Sequence, residues 1–159
     1  MSLADRAVHV VGITQYPDDA WILQAGRSMI DCESGVLRGQ HYFIIDRDSK
    51  YTAQFHRVLR DAGVRVIRLP PMSPNLNAYA ERFVRSIKQE CLDRMIFVGQ
   101  GSLRRAVAEY ITHYHRERNH QGLENRLIQS DAAAEDRHGH IHRRQRLGGM
   151  LNYYYQAAA

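Results

Sequence analysis

Two carboxylates in this chain stand where their surroundings could give them chemistry. Asp46 closes the apolar run "HYFII", at the point where a buried strand would end. The carboxyl ends of strands are where open α/β sheets gather ligands. Glu81 lies early in "AYAERFVRSIKQECL", with Arg85 and Lys88 following at i+4 and i+7. At about 100° per residue these three fall on one edge of a helix with Asn77 above them, and Ala80, Phe83, Val84, Ile87 and Cys91 on another. A carboxylate followed by two cations, one and two turns on, suits a divalent cation held beside a phosphate. Plainer duties fit the same residues. Asp46 could cap the turn "RDSKYT", and Glu81 with Arg85 could be a surface ion pair worth about 0.2–0.5 kcal/mol.

The elements that must position these acids are readable from period and punctuation. Residues 7–14 ("AVHVVGIT") alternate and are β-branched, which predicts a strand. Residues 17–30 predict a helix opened by Pro17, Asp18 and Asp19, burying Trp21, Ile22, Ala25, Met29 and Ile30. After the turn-rich "CESGVLRGQ", residues 41–46 predict a buried strand. Residues 51–62 predict a helix with Phe55, Val58 and Leu59 inward and Gly63 at its C-terminus, and residues 64–69 a further strand. Strand, helix, glycine and strand in so short a span make a βαβ unit with parallel pairing. Pro70, Pro71 and Pro74 then stiffen a loop before two long helices, near residues 77–94 and 102–118. The second helix puts Leu103, Ala106, Val107, Tyr110, Ile111 and Tyr114 on one face. Past His120 the pattern fades into "DRHGHIHRRQRLGG" and "LNYYYQAAA", read as a partly ordered basic arm.

Bulk composition narrows the class of protein. At 159 residues, 44% hydrophobic and 25% charged, the chain has the make-up of one globular domain. No apolar run approaches the roughly 18 residues of a membrane span, so no membrane partner is expected. Cys32 and Cys91 lack metal-ligand spacing and read as reduced thiols, which fits a cytoplasmic setting. A net charge of +5 favours a polyanionic partner.

Taken in order, "IDRDSKYT", "LPPMSPNLNAYAERFVRSIKQECL" and "YHRERNHQGL" resemble the D-D-35-E catalytic core of retroviral-type integrases and bacterial insertion-sequence transposases. In that comparison 34 residues separate the two acids, and "VHVVGIT" looks like the third strand of the family sheet. The resemblance implies a ribonuclease-H-like α/β fold with helices on both faces of a five-stranded sheet. It implies metal-dependent cleavage and strand transfer on DNA with two Mg²⁺ or Mn²⁺ ions, acting at transposon ends and target DNA, in a nucleoid-associated protein. Asp46 then matches the second catalytic and metal-binding acid and Glu81 the third. Lys88 and Arg85 match DNA-contacting positions, Asn77 a polar residue leading into the same helix, and Asp48 a position that is often glycine. Arg82 and the basic cluster at residues 143–146 add candidate phosphate contacts.

The resemblance also implies a further aspartate on a first strand, and no residue here matches it, since Asp5 lies in a turn. The expectation is therefore a partial core, residues 1–128, lacking its first two strands, followed by a His-rich arm, residues 129–159. On this reading a fuller parent is the enzyme and this chain alone is inactive. The unpaired sheet edge of such a core invites pairing with another chain, so a homo-oligomer is expected. The competing functions are a non-catalytic DNA-binding or assembly module from a truncated transposase, and a ribonuclease-H-like nuclease unrelated to mobile DNA. The histidines of "HGHIH" (His138, His140, His142) read as part of a solvated arm. His113, His115 and His120 read as residues that finish the last helix and its turn.

Overall fold

A computed structural model describes residues 1–71, 74–130 and 140–156. The fold is mixed α/β and falls into two units, His9–Ala78 and Met1–Val8 together with Tyr79–Ala159.

In the first unit, helix α1 (Asp19–Met29) is started by Asp18, whose side chain accepts the Trp21 amide at 2.8 Å. An acidic cap satisfies an otherwise orphaned amide and also faces the positive end of the helix dipole. Strand β1 (Tyr42–Ile45), helix α2 (Ala53–Asp61) and strand β2 (Arg65–Arg68) form the expected βαβ unit. β1 and β2 pair in parallel, with Tyr42 opposite Arg65 and Ile45 opposite Arg68. Thr52 caps α2, and Gly63, at φ +81°, turns the chain out of it into β2. The core gathers Ile22, Met29, Leu37, Phe55, Leu59 and Val64, with Trp21, Phe43 and Tyr51 packed against it. Gly26 is buried in α1 where sequence periodicity favours its neighbour Ala25; a Cβ there would stand 3.0 Å from the Phe55 ring, so the glycine sets how closely α1 meets α2.

The second unit is built on helices α3 (Ala78–Glu90) and α4 (Gly99–Arg116). Tyr110 is fully buried, its ring 6.3 Å from Phe83, and Tyr114 meets Phe83 edge-on at 5.0 Å. Cys91 is buried too, its thiol directed at the Ala106 carbonyl 3.9 Å away.

Three expectations need correction. Residues 7–14 form no strand: their alternation suits an extended chain, but a strand requires a ladder, and no ladder among the described residues includes them. The Val8 amide instead donates to His115 Nε2 at 2.9 Å. The helix expected to run to residue 94 ends at Glu90 and tightens into a 3₁₀ turn at Leu92–Arg94, while α4 starts earlier than expected, at Gly99. The basic arm contains an antiparallel hairpin, β3 (Ile141–Arg146) and β4 (Leu151–Gln156). Its strands are held by cross-strand rings and cations rather than an apolar face: His142 stacks on Tyr155 at 5.7 Å, and Arg144 lies over the same ring at 5.0 Å. His138 lies outside the described residues.

Candidate catalytic acids and nucleic-acid interface

Asp46 follows β1 directly and is exposed. Its Oδ1 accepts the Asp48 amide at 3.2 Å, so the carboxylate shapes the turn that sequence reasoning proposed for it. Asp48 in turn is paired with Lys50 at 2.8 Å, and that hydrogen bond, reinforced by the Lys50 amide, holds the Asp48 carboxyl below its ordinary value. Burial pushes the Tyr51 hydroxyl up, and the charge of Asp46 adds to the effect. Arg47 reaches across from β1 to donate to the Leu69 carbonyl at 3.0 Å, tying the two strand ends together. Asn77 ends the 3₁₀ turn Pro74–Asn77 and belongs to the same unit as Asp46.

Glu81 stands in the first turn of α3 and Lys88 in its last, each at the end where the helix dipole favours its charge. Both are exposed, as are Arg82 and Arg85. Among the described residues Glu81 and Arg85 form no ion pair, so the plain surface-pair reading of this stripe does not hold in this geometry. α3 thus presents Glu81, Arg85 and Lys88 along one edge. Arg82 is turned away from them, onto a face shared with Tyr79 and Ser86 that lines a cleft of about 340 Å³. Glu81, Arg82, Arg85 and Lys88 belong to the second unit and Asp46 to the first.

Glu90, Glu117 and Arg118 were given no role by sequence reasoning. Arg118 donates to Glu90 at 2.6 Å and to the Tyr110 hydroxyl at 3.2 Å, and Tyr110 itself donates to Glu90 at 3.1 Å. Burial, with Glu90 next, pushes the Tyr110 hydroxyl far up, so it remains a neutral donor. His120 Nε2 lies 2.7 Å from the Tyr114 carbonyl, closing the turn after α4 as expected. Glu117 is buried at the C-terminal end of α4 and receives two bonds from Arg146, at 2.6 and 2.8 Å, with His113 and Arg144 beside it. The one legible signal for the cleft was the i, i+3, i+7 spacing of Tyr79, Arg82 and Ser86; for Glu117 the sequence offers His113 at i−4, while Arg146, which gives it two bonds, is 29 residues away.

Hard divalent cations such as Mg²⁺ take carboxylate oxygens, and both Asp46 and Glu81 supply that donor in accessible form. Among the described residues no group of three or more His, Cys, Asp or Glu side chains is arranged to hold a metal ion. Among the same residues no helix is long and apolar enough to cross a membrane.

Residues 62–127 match the family model described as integrase core domain. That span includes Glu81, Arg82, Arg85, Lys88 and the "YHRERNHQGL" stretch, and leaves Asp46 outside. Comparisons with curated proteins and with solved structures give no match.

Proposed function

From the integrase core domain over residues 62–127, we propose that this chain is part of the catalytic core of a DNA-integrating transposase with a ribonuclease-H-like fold. The observation that carries the reading is the α3 edge, where an exposed carboxylate, Glu81, precedes two exposed cations that it does not neutralise. Asp46, at the end of a parallel strand, is the second acid. Arg85 and Lys88 hold the phosphodiester by charge, and Arg82 and Asn77 support DNA binding. Asp46 and Glu81 are the residues that would hold Mg²⁺ or Mn²⁺. When bound, such an ion activates an attacking water or 3′-hydroxyl and stabilises the leaving oxygen.

Asp46 and Glu81 account for two of the three acids that the resemblance implies, so cleavage is read where a third acid is supplied. The test is Mn²⁺-dependent nicking by a version of the protein extended to supply an acid-bearing first strand. Glu81→Gln and Asp46→Asn are each expected to lower the rate by about 10²-fold or more, the scale on which a lost charge-stabilising group acts. Equal cleavage by the extended protein and by Glu81→Gln would sink the assignment. The parallel β1–β2 pair, with Tyr42 and Ile67 exposed, supports assembly with a second copy through the sheet edge. A nucleoid location follows from the DNA substrate.

A second reading, a DNA-binding module without catalysis, is favoured by the exposed Arg82, Arg85 and Lys88, none of which is ion-paired among the described residues. The same assay separates the two readings, because a pure binding module stays inactive when the third acid is supplied.

A further inference from the structure

The cleft beside α3 is a distinct feature from the Glu81 edge. It is lined by Arg6, Tyr79, Arg82, Tyr114, Arg118 and the turn that follows α4, and no carboxylate is among its lining residues. Its three guanidiniums come from three separate places in the sequence. At its wall burial pushes the Tyr114 hydroxyl up, the charges of Arg118, Arg82 and Arg6 oppose that shift, and Glu90 adds to it. The three guanidiniums are not equivalent. Arg118 is fixed by Glu90 and the Tyr110 hydroxyl. The Cζ of Arg6 lies over the Tyr79 ring, 3.4 Å from its centre, and the guanidinium donates to the Leu3 carbonyl. Its backbone is held at φ +63°, a conformation that non-glycine residues seldom adopt. Arg82 is exposed, and among the described residues neither it nor Arg6 is ion-paired. Two uncompensated guanidiniums thus face one cavity, with a third already oriented behind them.

Planar guanidiniums in fixed positions select tetrahedral oxyanions, because each presents parallel N–H donors to two oxygens. Aromatic rings under and beside them leave room for a sugar or base next to the anion. We infer that this cleft seats a backbone phosphate of a nucleic-acid strand, with Arg6 and Arg82 as its contacts and Arg118 as a standing charge. The inference rests on the DNA substrate proposed above and adds a second phosphate contact, on a different face of α3 from Glu81, Arg85 and Lys88. One helix then grips the polymer at two separated phosphates, and Arg82 belongs to the second grip rather than the first.

The experiment is fluorescence anisotropy of a labelled DNA duplex in EDTA, which leaves metal chemistry out, between about 50 and about 200 mM salt. Arg82→Gln and Arg6→Gln should each weaken binding alike on unrelated sequences and lower the slope of log K against log salt by about one. Arg82→Lys should keep that slope, since the charge remains. Unchanged melting by circular dichroism establishes that the variants are folded; Arg82, being exposed, carries the test if Arg6→Gln unfolds. In a parallel arm, pyrophosphate is titrated while the Asn119 and Gly122 amides are followed by NMR. If pyrophosphate moves those amides but Arg82→Gln binds DNA as the wild type does, the cleft takes a free anion and the polymer assignment is overturned. If only Arg85→Gln and Lys88→Gln lower the slope, the cleft inference fails while the DNA reading stands. A wild type that binds no DNA at all removes both.

Discussion

Glu117 shows how much one residue can carry. Only 1% of its side chain is exposed, yet it receives two hydrogen bonds from Arg146 and neighbours Arg144 and His113. Burial raises the carboxyl's proton affinity, but the bonds from Arg146, His113 and Arg144 outweigh it and leave the pKa below 4.5. Because the folded value is depressed, the stabilisation is fully present above the unfolded value near 4.5. It is lost as the pH falls through the folded value. Glu117→Gln should therefore flatten the acid side of a melting-temperature profile, and an unchanged profile would count against this account. Breaking a buried pair costs about 3–5 kcal/mol; the partial exposure of Arg146 brings the expected loss to roughly 2–3 kcal/mol, read from denaturant midpoints at neutral pH. Asp46 and Glu81 were legible because each follows an apolar pattern that fixes its position. Glu117 was not, because its meaning depends on a cation supplied by a distant hairpin.

At the scale of elements, local chemistry that appears in the sequence survives into the structure, and pairing that depends on remote partners does not. The βαβ unit was readable because its punctuation is local: Thr52 opens α2, and Gly63 supplies the left-handed turn into β2. Gly63→Ala meets no steric neighbour, so its effect comes from φ alone and should destabilise the first unit by about 1 kcal/mol. A calorimetric shift of several degrees checks this; no shift would mean that the turn relaxes. Residues 7–14 carry a strand pattern without a ladder among the described residues, and residues 141–156 carry a ladder with little apolar pattern. The hairpin escaped notice because one His and three Arg on one strand and three tyrosines on the other read as solvated, although cross-strand stacking and a cation–π contact hold them in register. α3 escaped in a subtler way: among its side chains only Ile87 is buried, so its wheel holds two exposed working faces where periodicity suggested one.

For the molecule as a whole, the parallel two-stranded sheet sets a prediction about assembly. A sheet this narrow with exposed Tyr42 and Ile67 is expected to recruit a second copy. Light scattering across a concentration series should reveal a rising dimer fraction, and a monomer at every concentration would remove the sheet-edge proposal while leaving the DNA reading intact. The chain's route through its units has a separate consequence, for synthesis. The second unit is made of two stretches, Met1–Val8 and Tyr79–Ala159, with the whole of the first unit threaded between them. The bond from the Val8 amide to His115 closes across 107 positions. During translation residues 1–8 cannot make their contacts with α4 until that helix has been made. The inserted unit can fold meanwhile, so residues 9–78 set before the residues that flank them on both sides come together.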